Sequence, residues 1–356
     1  MTYIKNFVKI NKINKVKVLK KCFLLSDRTE RRYFSGVDIA EGYMLIAGEK
    51  YYFSDKRYFS ALKEKLKNTD INPKVFTSLS SIKEVIDAIG VKTLYIDYDA
   101  TSLSEYKGYK TLGVKIKDGT ESLKKNFAVK SGKEIKDIKK ACEIAQKSFY
   151  NILPKIKPPI TERELKDILE NEMIRLGASG VSFDTIVAFR ENSAVPHHET
   201  GDTPLKENSV ILIDFGCKVN GYCSDVTRTI YYGNPDKEFI NNYNAVLTSN
   251  ITAEEKITAG ILGKEADAIA RRVLEKEGLS EYFTHSLGHG VGLNIHEKPY
   301  LSIKSEDRLK NKNVFTVEPG VYFDGKYGIR IEDTVILEKG KVKRLFTDGK
   351  ELIILK

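Results

Sequence analysis

Residues 211 to 230 read ILIDFGCKVNGYCSDVTRTI, placing two aspartates and two cysteines around one Asn-Gly pair. Three chemistries compete for such a stretch: a zinc site, a disulfide and a carboxylate site. Asn220-Gly221 is the dipeptide that a two-residue type I′ hairpin turn requires, and its flanks, Val210 to Lys218 and Tyr222 to Tyr231, are apolar and β-branched. A hairpin closed there pairs Val219 with Tyr222, Gly216 with Asp225 and Asp214 with Thr227. Because side chains alternate faces, Asp214 and Asp225 then share a face as a diagonal pair, whereas Cys217 and Cys223 point to opposite faces. That parity, which a bulge would shift, disfavours both a disulfide and a two-thiolate zinc site. Two acids side by side on a sheet repel one another unless a metal or a shared proton lies between them. On this stretch alone a pair of solvent-facing aspartates at a hairpin end stays open, although the flanks VILID and VTRTI argue for central strands.

The rest of the chain supplies more ligands. All five histidines lie between 197 and 296: His197 and His198 in SAVPHH, and His285, His289 and His296 in THSLGHGVGLNIHEKP. Gly288, Gly290 and Gly292 let the backbone pack closely there. GHGVG is no phosphate cradle, since it lacks the strand-then-helix context and the spacing. TVEPGVYF sets Glu318 inside an apolar strand, and GIRIEDTVIL does the same for Glu332, with Arg330 on the same side by period two. Each acid alone reads as a paired surface group. Together, Asp214, Asp225, His289, Glu318 and Glu332 form a set that cannot share an interior without cations, and so many hard oxygen donors suit two divalent ions better than one. Bridging carboxylates hold such ions about 3.5 to 4 Å apart around a water that ionises near neutral pH. The chemistry indicated is metal-assisted hydrolysis.

The elements that must position these residues fall into two groups. With 356 residues, 41% hydrophobic and 30% charged, the chain is long enough for two cored domains. Its first third alternates strands (EGYMLIAG, KYYFS, VKTLYIDYD) with helical stretches (KRYFSALKEKLKN, SSIKEVIDAIG), which predicts an α/β domain. The lysine-rich passage SLKKNFAVKSGKE reads as the boundary, giving domains 1–127 and 128–356. Beyond it the spacing predicts a helix over 134–152, a Thr161/Glu164 capping box opening a helix to about 176, helices over 239–258 and 264–277, and a strand-rich tail from Asn313. The second domain is therefore α+β with an antiparallel sheet. The net charge of +10 comes from dispersed lysines interleaved with 49 acids, without an Arg-rich run or a groove-reading motif, so a solvated surface is expected and no nucleic-acid partner. No apolar run approaches a membrane span, and the amino terminus MTYIKNFVKINKINKVKVLKKCFLL lacks the apolar core and cleavage site of a secretion signal. A cytoplasmic protein with reduced thiols at 22, 142, 217 and 223 is expected.

IDFGCKVNGYCSDVTRT, HSLGHGVGLNIHEKP, TVEPGVYF and GIRIEDTVIL resemble, in order, the metal motifs of the pita-bread metallopeptidases, the family of methionine aminopeptidase, aminopeptidase P and prolidase. The resemblance covers roughly 128–356. RYFSGVDIAEGYMLIAGEKYYFSDKRYF is in turn similar to the amino-terminal domain of creatinase, prolidase and aminopeptidase P. It implies an α/β domain followed by an α+β pita-bread catalytic domain, two divalent ions with manganese first and cobalt, zinc or iron possible in the same cage, a homodimer, and peptides with proline second as substrates. It also implies roles: Asp214 on one ion, His289 and Glu318 on the other, Asp225 and Glu332 bridging. Glu318 would help deprotonate water, His197 would contact substrate, His296 would stabilise the tetrahedral intermediate, and His285 and Arg330 would support. His198 has no role in that pattern and reads as structural.

Within the family the resemblance implies an Xaa-Pro aminopeptidase, with Xaa-Pro dipeptidase (prolidase) as the alternative. In several prolidases of this size an arginine follows the His-Glu-x-Pro motif, whereas here His296-Glu297-Lys298-Pro299 is followed by Tyr300; Lys298, Arg330 or a partner chain would have to replace it. A non-catalytic relative that only binds partners, or a creatinase-like amidinohydrolase, is disfavoured because the chain retains all five ligands.

Overall fold

The computed structural model describes residues 21–347 and 349–356. The reading of the amino terminus as no secretion signal falls, for residues 1–20, outside them. No helix among the described residues is long and apolar enough to cross a membrane. Contacts divide the chain into two units, 1–126 and 127–356.

The first unit is a six-stranded mixed sheet, in the order Ile71–Val75, Glu49–Ser54, Tyr43–Ala47, Cys22–Leu25, Thr93–Ile96, Lys115–Asp118. Both ends of the sheet are parallel and its middle is antiparallel. Leu24, Leu45, Phe53, Ile82, Ile86 and Leu94 belong to its core. This is the α/β domain the alternation of strands and helices predicts. The passage read as a boundary, inside which the two units divide, is itself helical over Thr120–Ala128, with Leu123 and Phe127 at helical spacing and buried.

The second unit layers four long helices on sheets that are antiparallel except where Ile354–Leu355 pairs parallel to Val226–Tyr232. Helix Gly132–Ile152 opens with a Ser131/Glu134 capping box and buries Ile138, Ala141, Ala145, Phe149 and Ile152 on one stripe. Helix Glu162–Arg175 opens with the Thr161/Glu164 box read from the sequence. Both pack on a four-stranded sheet ordered Ile354–Leu355, Val226–Tyr232, Ser209–Phe215, Ile186–Phe189. Phe149 stacks on Phe215 with centroids 5.8 Å apart. Helices Lys237–Lys256 and Gly263–Lys276 share a second core with a five-stranded sheet ordered Glu297–Leu301, Gly288–Gly290, Val314–Val317, Asp333–Glu338, Lys341–Arg344. A hairpin, Gly320–Phe323 with Tyr327–Arg330, completes the unit.

Candidate metal centre

The hairpin register is the one counted from the sequence. Val219 faces Tyr222, and Asp214 faces Thr227. Asn220 and Gly221 both take positive φ, 48° and 81°, as a type I′ turn demands. The ladder is broken once, between Phe215–Val226 and Lys218–Cys223, where Gly216, Cys217, Ser224 and Asp225 leave strand geometry. Cys217 and Cys223 are free thiols in separate cores, and burial pushes them up to about 12 and about 11. They are inert, and the carboxylates lie elsewhere.

Asp214 comes from strand Ser209–Phe215, and Asp225 stands just ahead of Val226–Tyr232. His289 is central in Gly288–Gly290, where Gly290 is obligatory: a Cβ there would lie 2.2 Å from the Lys298 carbonyl oxygen. Glu318 is not inside a strand as the apolar run suggests; Val314–Val317 ends before it, and Pro319, with no N–H, cannot continue a ladder. Glu332 likewise falls in a two-residue break between Tyr327–Arg330 and Asp333–Glu338, where the chain passes from the hairpin to the five-stranded sheet. Side-chain hydrogen bonds on both sides of that break tie it to Val226–Tyr232 and to Asp225. The Thr229 hydroxyl donates to the Arg330 carbonyl (2.9 Å), Arg228 donates to the Glu332 carbonyl (2.6 Å), and the Thr334 hydroxyl donates to the Asp225 carbonyl (2.6 Å).

These elements bring Asp225, His289 and Glu332 together, each offering a ligand atom within 4.8 Å of the others. Glu318 Oε1 lies 3.4 Å from His289 Nε2, and Asp225 Oδ2 lies 3.6 Å from it. His289 Nδ1 sits 3.2 Å from the Gly290 carbonyl oxygen. Burial and the neighbouring His296 lower its pKa to about 3, so the ring is neutral, its Nδ1–H donates to that carbonyl, and the Nε2 lone pair faces two carboxylates. A lone pair aimed at anions needs a cation between them. Asp225 and Glu332 are 5% and 1% exposed. Burial and mutual repulsion raise both well above the carboxylate range, and burial, helped by Asp214, takes Glu318 to about 8. Asp214 donates nothing and accepts only at Oδ2, from Arg330 (2.7 Å); its Oδ1 is buried without a hydrogen-bond partner. One orphaned carboxylate oxygen, clustered carboxyls and an aimed imidazole fit hard divalent cations.

Arg330 reaches the same side as Glu332 through their shared partner Thr227, although Glu332 lies outside the strand, and ties the centre to the other histidines. Besides Asp214 it donates to Thr227 Oγ1 (3.0 Å), the Pro196 carbonyl (3.3 Å) and the Tyr322 hydroxyl (2.7 Å). Thr227 passes a 2.6 Å hydrogen bond on to Glu332, and Tyr322 stands 2.9 Å from His285 Nε2. His285, brought to about 3 by burial and by Arg330, is neutral. His197 is exposed and follows the Pro196 carbonyl held by Arg330. His296 is exposed, with its ring edge-on to His289 at 4.3 Å. His198 is turned away and pairs with the buried Glu162 at 3.0 Å. Thr227 and Tyr322 escaped the sequence reading. Thr227 shares a face with Asp225 by period two, so parity could have found it; Tyr322 lies in VYF with no signal of its own.

Comparisons with known proteins identify the family. Residues 136–339 match the model of metallopeptidase family M24, and residues 19–125 match the creatinase/prolidase N-terminal domain. The chain is 37% identical over 327 residues to the Xaa-Pro dipeptidase of Pyrococcus horikoshii, covering 90% of this chain and 91% of that one. Among solved structures it is similar to the Xaa-Pro dipeptidase from Bacillus anthracis (TM-score 0.90, 34% identity, 94% and 95% covered). It is comparably similar to the X-Pro aminopeptidase from Thermotoga maritima (TM-score 0.87, 33% identity, 94% and 96% covered).

Proposed function

The chain belongs to metallopeptidase family M24, a metallo-exopeptidase with the pita-bread fold, and from that premise we propose that it is an Xaa-Pro aminopeptidase, removing the residue ahead of a proline from peptides longer than two. The observation that carries a hydrolytic metal centre is the His289 lone pair facing Asp225 and Glu318 while its other nitrogen is pinned by Gly290. Asp214 would hold one ion, His289 with Glu318 the other, and Asp225 with Glu332 both, with manganese favoured by four carboxylates against one imidazole. When bound, the ions would supply Lewis-acid polarisation and a water acidic enough to ionise near neutral pH.

The chain's own residues do the rest. Glu318 would accept a proton from the attacking water. Arg330 holds Asp214 and the Pro196 carbonyl at once, which orients His197 toward the substrate. His296 donates to the oxyanion of the tetrahedral intermediate. Tyr322, held by Arg330, fixes the His285 ring, and burial together with Arg330 keeps it neutral.

A dipeptidase must meet the proline carboxylate with a cation. The two replacements named within this chain are engaged, Lys298 with Asp307 at 2.9 Å and Arg330 as above, which leaves only a partner chain to supply the cation. Tyr300, where the arginine would stand, is 41% exposed. Longer peptides, whose proline carries no carboxylate, suit this rim better. The names of the relatives favour neither outcome, since both activities occur among them. The test compares kcat/KM for Xaa-Pro with that for Xaa-Pro-Yaa under the same metal. The longer peptide is expected to win; a dipeptide preference of about tenfold or more, some 1.4 kcal/mol of transition-state binding, reverses the assignment. Tyr300→Arg should move the ratio toward the dipeptide.

A further inference from the structure

Lys130 Nζ lies 2.5 Å from Glu297 Oε1, with the two side chains 0% and 6% exposed. A buried ion pair seldom stabilises a fold beyond what apolar residues would, so its location matters more than its energy. Glu297 directly follows His296 and opens strand Glu297–Leu301. Its carboxylate fills the inside of the turn from Val291 to His296. The Asn294 N–H approaches Glu297 Oε2 at 3.4 Å, and a Cβ on Gly292 would stand 2.5 Å from both carboxylate oxygens. The turn is closed by Gly292 N–H to the Asn294 carbonyl (3.0 Å) and anchored by Cys223 N–H to the Gly292 carbonyl (2.8 Å).

Lys130 is itself fixed at the backbone. Its N–H donates to the Lys312 carbonyl (2.9 Å), the Asn313 side chain donates to the Ala128 carbonyl (2.7 Å), and Ser131 caps helix Gly132–Ile152. A rigid ammonium therefore meets the one carboxylate around which the His296 turn is wrapped.

We propose that Lys130 is a positioning residue for hydrolysis: through Glu297 it holds the Val291–His296 turn, and so fixes the His296 imidazole where the oxyanion develops. The inference rests on the reading of His296 given above. Without the ammonium, the Glu297 carboxylate is left buried and unpaired inside the turn, and the turn must open to hydrate it. Displacing a catalytic group by roughly 1 Å costs about 10²-fold in rate.

A double-mutant cycle on the full-length, manganese-loaded protein tests this, with K130M, H296A and the double variant assayed on one Xaa-Pro-Yaa peptide and metal content measured for each. K130M is expected to lower kcat about 10- to 100-fold, with KM within about twofold and metal stoichiometry unchanged. In the H296A background K130M should cost less than about twofold, because the group it acts through is gone. H296A at the parent rate would overturn the reading of His296 and this inference with it. H296A impaired, with the K130M loss multiplying on top, would overturn this inference alone. Should K130M fail to fold, K130M/E297Q removes both charges and takes its place in the cycle. Recovered melting temperature with kcat still depressed supports positioning, and recovery of both together overturns it.

Discussion

Glu332 and Asp333 are adjacent, both buried, and have opposite fates. Glu332 faces Asp225, His289 and Thr227 and is held well above the carboxylate range by burial and by Glu318 and Asp214. Asp333 faces the other way, into Arg228 (2.8 Å), Lys350 (2.7 Å) and Arg344 (3.1 Å). Burial pushes Asp333 up too, but these three cations overcome it and bring it to about 2. Lys350 also reaches Glu254 at 2.6 Å and Asn250, so Arg228, Arg344 and Lys350 face the two acids Asp333 and Glu254 there. The set around Glu332 has four carboxylates and only Arg330 as a permanent cation. A buried acid with protein cations is architecture; a buried cluster short of them is a place for metal.

Exchanging each neighbour for its amide tests that contrast. Glu332→Gln should abolish hydrolysis and metal binding while leaving the metal-free fold as stable as the parent or more so, since one repulsive partner is gone; stoichiometry and a melting curve read both. His197→Ala should lower turnover by about 10² to 10⁴-fold with metal content intact. A variant that purifies without metal would make His197 a ligand instead. Asp333→Asn should retain metal but lose about 3–5 kcal/mol of stability, because Arg228 and Lys350 are left buried without their anion; denaturant unfolding measures it.

The smallest effect is in the pH dependence, where the two acids again have opposite signs. Asp333 has a lowered folded pKa, so its contribution is complete above the ordinary carboxylate range and is lost as pH falls toward 2. Glu318 has a raised one, about 8, so in chelated protein its contribution is present at low pH and is lost as pH rises through 8. The melting temperature of chelated protein should fall by several degrees between pH 5 and 8. Glu318→Gln should flatten that slope.

Much of this was legible in the sequence because it follows from period two. The Asn220-Gly221 turn set the register of residues 209–232, and the register set Asp214, Asp225 and Thr227 on one face. The Thr161 capping box marked the start of helix Glu162–Arg175, and apolar spacing from Glu134 placed helix Gly132–Ile152 to within two residues of its start, missing the Ser131 box that opens it. Periodicity misplaced Glu318 and Glu332, both taken as strand residues, because apolar β-branched flanks look alike whether the ladder runs on or stops for a metal ligand. Contacts far apart in sequence were invisible. Tyr322 between Arg330 and His285, Lys130 opposite Glu297 across 167 positions, and Glu162 holding His198 depend on tertiary packing that no local pattern encodes.

The most direct test of the centre counts the ions. Manganese titrated calorimetrically into chelated protein, with peptide hydrolysis followed in parallel, should saturate at two ions per chain, release protons as the raised carboxyls ionise, and restore activity from none. Full hydrolysis by chelated protein, or saturation at a single ion with full activity, would contradict it.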